Sequence, residues 1–176
     1  ELGYTYLGNW QYAKGATVNN MGVANSPILD DEIRSFLKEQ GRTEMQIEDV
    51  LVKLKDKARL GDSKMSSLIQ CNTDLYDTLI MGIKSQPSPE ENHEDVMFFD
   101  FDHPQNNHFA IAEEVSYIGP LLGKNKRPDI VVYVNGIALA VIELKRSLVN
   151  YEEGIKQHLS NERDFIPSFF TTTQFT

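Results

Sequence analysis

The chain predicts a mixed α/β (α+β) fold, with a mixed central sheet flanked by helices. Three observations predict it. Residues 26–84 place apolar side chains at helical spacing in three successive segments, and residues 96–147 place them in short runs separated by turn residues. The third is one Asn-Gly step, at 135–136, which joins two of those runs as an antiparallel hairpin. With 176 residues the chain suits a single domain, 1–176. Within it, 26–84 form a helical insert and 96–176 a sheet-bearing core around the hairpin 127–147.

The opening ELGYTYLGNWQYAKG reads as a helix end at Gly3 followed by an extended aromatic stretch. SPILDDEIRSFLKEQG, 26–41, has acids in its first turn, Ile33, Phe36 and Leu37 on one face, and Gly41 as its stop. Thr43 and Gln46 have the spacing of a capping box, which starts a second helix with Ile47, Val50, Leu51 and Leu54 aligned. A third helix runs from about Ser66 to Ile83, carrying Leu68, Ile69, Leu75, Leu79 and Ile80. SQPSPEENHED, 85–95, is a loop by its prolines and polarity. VMFFDF (96–101) and HFAIAEEVSYIG (108–119) read as strands. After the hairpin, Asn150 caps a helix over about 151–162, with Glu153 three residues on, and SFFTTTQFT ends the chain as a strand just entered.

Composition narrows the function classes. Apolar residues are 40% and charged residues 24%, the balance of a folded globular chain rather than a disordered one. The single cysteine, Cys71, excludes an internal disulfide framework and fits a reducing compartment, so a cytoplasmic location is expected. No apolar run approaches the ~20 residues of a membrane span, and no signal-peptide pattern opens the chain. Because it opens at Glu1 without methionine and closes inside a strand, the sequence reads as a fragment of something longer. The net charge of −9 opposes nonspecific nucleic-acid affinity, which comes from Lys and Arg displacing counterions. Between Lys84 and Lys124 there is no Lys or Arg, while Glu90, Glu91, Glu94, Asp95, Asp100, Asp102, Glu113 and Glu114 all fall there. If this chain meets DNA, most of the grip comes from outside it.

Three motifs carry no chemistry. GPLLGKN, 119–125, resembles a P-loop but lacks one residue between its glycines, and Asn125 replaces the magnesium-binding Ser or Thr. His93, His103 and His108 have no zinc spacing and read as solvated loop residues. Cys71 sits on an apolar helix and reads as a buried thiol.

RPDIVVYVNGIALAVIELKRS, 127–147, does carry chemistry. Asp129, Glu143 and Lys145 interrupt apolar strands, and carboxylates buried at cross-strand distance are costly unless a cation or hydrogen bonds offset their desolvation. Register decides whether they meet. A strict two-residue Asn-Gly loop pairs Val134 with Ile137 and sends Glu143 to the face opposite Asp129. A three-residue loop, or a bulge in either strand, pairs Asp129 with Glu143 on one face, and that arrangement or its equivalent is predicted. Hard oxygen donors there favour Mg²⁺ or Mn²⁺, with Lys145 beside the ion to orient a water or stabilise an oxyanion. The competing reading is an ordinary acid–lysine pair at a sheet edge.

Pro128-Asp129 followed by Glu143-x-Lys145 resembles the PD-(D/E)xK nuclease signature. The wording around it, continued by EEGIKQ and matched by LGYTYLGNW near the start, is similar to the N-terminal endonuclease domain of the type I restriction enzyme R (HsdR) subunit. That resemblance is strong over about 108–160 and at the N-terminus. It implies a restriction-endonuclease-like core, Mg²⁺-dependent cleavage of double-stranded DNA, and ATP-driven translocation by motor domains elsewhere in the polypeptide. It also implies assembly with methylation and specificity subunits. By motif position, Asp129, Glu143 and the Leu144 carbonyl would bind metal, and Lys145 would assist the water. Gln157 fits the first position of the family's Gln-xxx-Tyr pair, but Asn161 replaces the tyrosine. The acid expected on the family's first helix has only Glu1 as a poor counterpart. Gln157, Lys124, Lys126, Arg127 and Arg146 are candidate DNA contacts, against which stands a merely solvated surface. Two other readings remain open: a different PD-(D/E)xK nuclease, of the repair or type III restriction kind, or a non-catalytic nuclease-like docking module.

Overall fold

The computed structural model describes residues 3–10, 27–58, 68–88, 90, 92–115, 117–118, 125–126, 128–144, 155–156 and 170–175. The main sheet has four strands in the order β1 (Thr5–Asn9), β4 (Phe109–Glu113), β7 (Ile130–Val134) and β8 (Ile137–Ile142). β1 runs parallel to β4, and the other neighbours are antiparallel, so the sheet is mixed as expected. Beside β8, Phe175 makes a parallel bridge to Ala140.

Helices α1 (Asp30–Glu39), α2 (Glu44–Lys57) and α3 (Leu68–Met81) form where the periodicity places them. The capping box is present: the Thr43 side chain accepts from the Gln46 amide, and the Gln46 side chain accepts from the Thr43 amide at 3.0 Å. α3 stops at Met81 rather than running on to Ile83. Gly82 takes φ +75°, and Ile83 opens the short strand β2 (Ile83–Ser85). A Cβ at residue 82 would lie 2.7 Å from the Val96 carbonyl oxygen, so only glycine permits this turn.

β2 pairs with β3 (Glu94–Val96), so the expected loop over 85–95 is strand at both ends, and the expected strand over 96–101 keeps only Val96. The chain bends at Phe98 and Phe99 instead, because side-chain amides take over the backbone groups a ladder would need. Asn135 Nδ2 donates to the Phe98 carbonyl at 2.8 Å, and the Asp100 amide donates to Asn107 Oδ1 at 2.9 Å. The expected strand over 108–119 is also divided. It ends at Glu113, and Glu114 adopts φ +53°, while β5 (Tyr117–Ile118) pairs with β6 (Asn125–Lys126) as a separate ribbon.

Two apolar clusters hold the fold. One joins the helices to Ile83, Val96, Phe98, Phe99 and Ile137 at the turn end of the hairpin. The other covers one face of the main sheet with Trp10, Leu29, Ala110, Ala112, Val115, Val131, Tyr133, Ala138, Val141 and Phe170. A fully buried Leu, Ile or Phe in such clusters contributes about 1.5–3 kcal/mol by leaving water. Cys71 is a buried free thiol, as read from its helix. Among the described residues, no helix is long and apolar enough to cross a membrane.

Candidate active site

The hairpin turns through Asn135 and Gly136, both at positive φ (+48° and +81°), the geometry a two-residue type I′ loop demands. Asn135 is held on all sides. Its Oδ1 accepts the His108 amide at 2.7 Å, and its Nδ2 donates to the Phe98 carbonyl and to Asn107 Oδ1, each at 2.8 Å. Gly136 is packed so tightly that a Cβ there would meet the Leu29 carbonyl oxygen at 2.7 Å.

The loop pairs Val134 with Ile137, and that register alone would separate the two acids. The register then shifts. Tyr133 pairs with Ala138 and Val132 with Ala140, leaving Leu139 as a one-residue bulge in β8. The bulge is tied to the next segment, since the Leu139 carbonyl accepts the amides of Gln174 at 2.8 Å and Phe175 at 3.1 Å. Beyond it Val131 pairs with Val141 and Ile130 with Ile142. The paired ladder ends there, and Asp129 and Glu143 are the residues directly beyond it on the two sides, where continued alternation would turn both to the face of Val131 and Val141. Both acids are half-buried, at the open end of the hairpin. The Leu144 amide donates to Asp129 Oδ2 at 2.6 Å, a charge-assisted bond that fixes the carboxylate beside the start of the exit segment.

Sequence reasoning missed Glu114. Its amide donates to the Asp129 carbonyl at 2.9 Å, so the end of β4 brings Glu114 beside Asp129 in the backbone. Glu114 Oε2 is buried. The signal was an acid pair, Glu113-Glu114, closing an alternating strand. Among the described residues, however, no group of three His, Cys, Asp or Glu is arranged to hold a metal ion, so Glu114 does not complete a three-carboxylate cage. Behind the acids, Trp10 packs against Tyr133 with ring centroids 5.9 Å apart, and burial raises the Tyr133 hydroxyl pKa far above the usual range.

Lys145, Arg146, Gln157, Lys124 and Arg127 lie outside the described residues, as does most of the expected helix 151–162. Lys126 falls in β6, without a described side chain. Two histidines meet acids: His108 Nε2 lies 2.9 Å from Glu39 Oε2, 69 positions away in the chain, and His103 lies 3.6 Å from Asp100. Among the described residues on the helical side, most cations other than Lys57 are matched by acids. Arg34 pairs with Glu44 and Glu48, Arg42 with Glu94, Lys53 with Asp49, and Lys55 with Asp30. DNA finds little unpaired positive charge among these.

A mixed-sheet α/β domain with carboxylates on adjoining strands of a bulged hairpin is the class that fold and site define together. The chain belongs to the family described as the type I restriction enzyme R protein N terminus, whose profile matches residues 1–176. It is 33% identical over 102 residues to the type I restriction enzyme HindI endonuclease subunit of Haemophilus influenzae, covering 57% of this chain and 9% of that protein. A Methanocaldococcus jannaschii protein assigned as the type I restriction enzyme MjaIXP endonuclease subunit is 31% identical over 106 residues, covering 57% of this chain and 10% of that one. A second from that organism, assigned as the MjaVIIIP endonuclease subunit, is 28% identical over 154 residues, 85% of this chain and 14% of its own length. The chain thus spans about a tenth of the curated relatives it matches. No solved structure matches it.

Proposed function

We propose that this domain is the Mg²⁺-dependent endonuclease unit of a type I restriction motor subunit, cutting double-stranded DNA at the hairpin of residues 127–147. The observation that carries the reading is the bulge-set register, which pairs Ile130 with Ile142 directly before Asp129 and Glu143, together with the Leu144 amide that holds Asp129. Two half-buried carboxylates at cross-strand distance repel, and a divalent ion with a preference for oxygen removes that repulsion. The donor set fits: carboxylate oxygens of Asp129 and Glu143, with the Leu144 carbonyl as a third. Such an ion supplies Lewis-acid stabilisation and a deprotonated water at neutral pH when bound.

The chain's own groups do the rest. The Leu144 amide occupies one oxygen of Asp129, and the other would be the one to hold an ion. Lys145, two residues after Glu143, brings an ammonium to orient the water or to stabilise charge developing on the phosphate. Lys124, Lys126, Arg127, Arg146 and Gln157 form the local DNA contacts. With a net charge of −9 and most of its described helical cations paired, the domain depends on motor, methylation and specificity subunits to deliver DNA. ATP acts only in the motor. Such a complex works in the cytoplasm, where its DNA substrate is.

The reading is tested by titrating Mn²⁺ and Mg²⁺ calorimetrically into the wild type, Asp129→Ala and Glu143→Ala. Binding in the wild type that either substitution removes supports it. Wild type that takes up no ion would instead make the domain a docking module.

A further inference from the structure

Helix α3 is apolar on two sides. Cys71, Leu75, Thr78 and Leu79 are buried. On the outer side Ile69 is 79% exposed, Tyr76 49%, Ile80 39% and Met81 73%. With Thr73, positions 69, 73, 76 and 80 follow the spacing of one helical stripe. Single exposed apolar side chains are ordinary, but four on one helix are not. α1, by contrast, exposes Asp31, Ser35 and Lys38.

The surroundings of the stripe are acidic. Asp74 and Asp77 lie on α3, and Asp56 comes from the last turn of α2. Together with Lys57, Thr78 and Met81 they line an open cavity of about 570 Å³. α2 and α3 both end beside it, at Lys57 and Met81, so the partial negative charge of two helix C-termini adds to three carboxylates against one ammonium among the described lining residues. DNA and anionic membranes are repelled by such a surface. A second copy would set acids against acids. What complements both the apolar stripe and the charge is a basic amphipathic helix.

We propose that the Ile69–Tyr76–Ile80 face of α3 docks an amphipathic helix of another polypeptide segment, one whose apolar stripe is bordered by lysine or arginine. A cation of that border reaches the cavity between Asp56, Asp74 and Asp77, its aliphatic stem lying on Met81. This surface is independent of the hairpin and of its metal chemistry.

The test uses the 176-residue chain and three labelled synthetic helices of roughly 18 residues, about five turns. One has a leucine stripe bordered by lysines, one the same stripe bordered by glutamates, and one the lysine composition with the stripe scrambled. Fluorescence anisotropy is expected to show the lysine-bordered helix binding at least about tenfold tighter than the other two. Tyr76→Gln combined with Ile80→Gln, which leaves net charge unchanged, lowers that affinity by a similar factor. Ile69→Gln at the far end of the stripe repeats the result in a variant whose site is almost fully exposed, should the double substitution unfold the chain. Equal binding of the scrambled helix, or unchanged binding by folded variants, overturns the proposal. So does sedimentation showing a dimer of the chain alone that Ile80→Gln dissociates, since a second copy would then occupy the face.

Discussion

Leu144 donates its backbone N–H to the carboxylate of Asp129, fifteen residues earlier, across 2.6 Å. The bond comes from the backbone, so most side chains at 144 preserve it, and Leu144 itself is 62% exposed. Proline removes the donor while accepting an extended residue before it. Leu144→Pro is therefore expected to weaken Mn²⁺ binding about tenfold, the worth of one charge-assisted hydrogen bond, while Leu144→Ala stays within about twofold. Equal calorimetric affinities for the two variants would show that this bond does not orient Asp129.

Asn135 should be the most sensitive polar position in the hairpin. It is 1% exposed, and its amide serves three partners in two other segments. Asn135→Gly keeps the positive φ but leaves a buried amide and carbonyl without partners, at an expected cost of about 2–4 kcal/mol. Asn135→Ala adds about 1 kcal/mol of left-handed strain. Urea denaturation of the two variants gives both values, and an alanine no worse than the glycine contradicts the strain argument.

Thr43→Ala removes one half of the capping box that starts α2. The loss is expected to be about 1 kcal/mol. Hydrogen exchange should localise it to amides in the first turn of α2, where a global change would point to a packing role instead.

Asp49 carries a pH dependence. Desolvation pushes its pKa up, but the Lys53 ammonium at 2.8 Å, the Ser85 hydroxyl at 2.9 Å and the Gln86 amide outweigh this and hold it below the ordinary carboxylate range. A depressed pKa means stability that is present above the unfolded value, near 4, and lost as pH falls through the lower folded value. Asp49→Asn is expected to cost about 1–2 kcal/mol at pH 7, where Ser85, wholly buried, loses a charged acceptor. Thermal melts of wild type and variant should converge once pH has fallen below the depressed folded value. A difference that persists there would assign the effect to shape rather than charge.

The three helices were legible because their stripes are local: Ile33, Phe36 and Leu37, then Ile47, Val50, Leu51 and Leu54, all proved buried, while on α3 only Leu75 and Leu79 of the expected core stripe are, Ile69 and Ile80 facing outward. The Thr43–Gln46 box was legible for the same reason, its partners being three residues apart. The run 96–101 was misread because its apolar content, Phe98 and Phe99, is buried without a strand. The Asn135 and Asn107 amides that bend it come from distant positions, and local pattern cannot register them.

The sequence by itself determined the family, the mixed α/β class, the Asn-Gly turn and the presence of acids where apolar residues belong. Only the tertiary structure decided on which side of the sheet those acids stand. Side chains alternate every residue along a strand, so a single inserted position exchanges the two faces. The chain inserts Leu139, whose carbonyl is held by the amides of Gln174 and Phe175 from the far end of the sequence. A contact that distant leaves no trace in the spacing of the hairpin itself, yet it fixes the register that leads into Asp129 and Glu143.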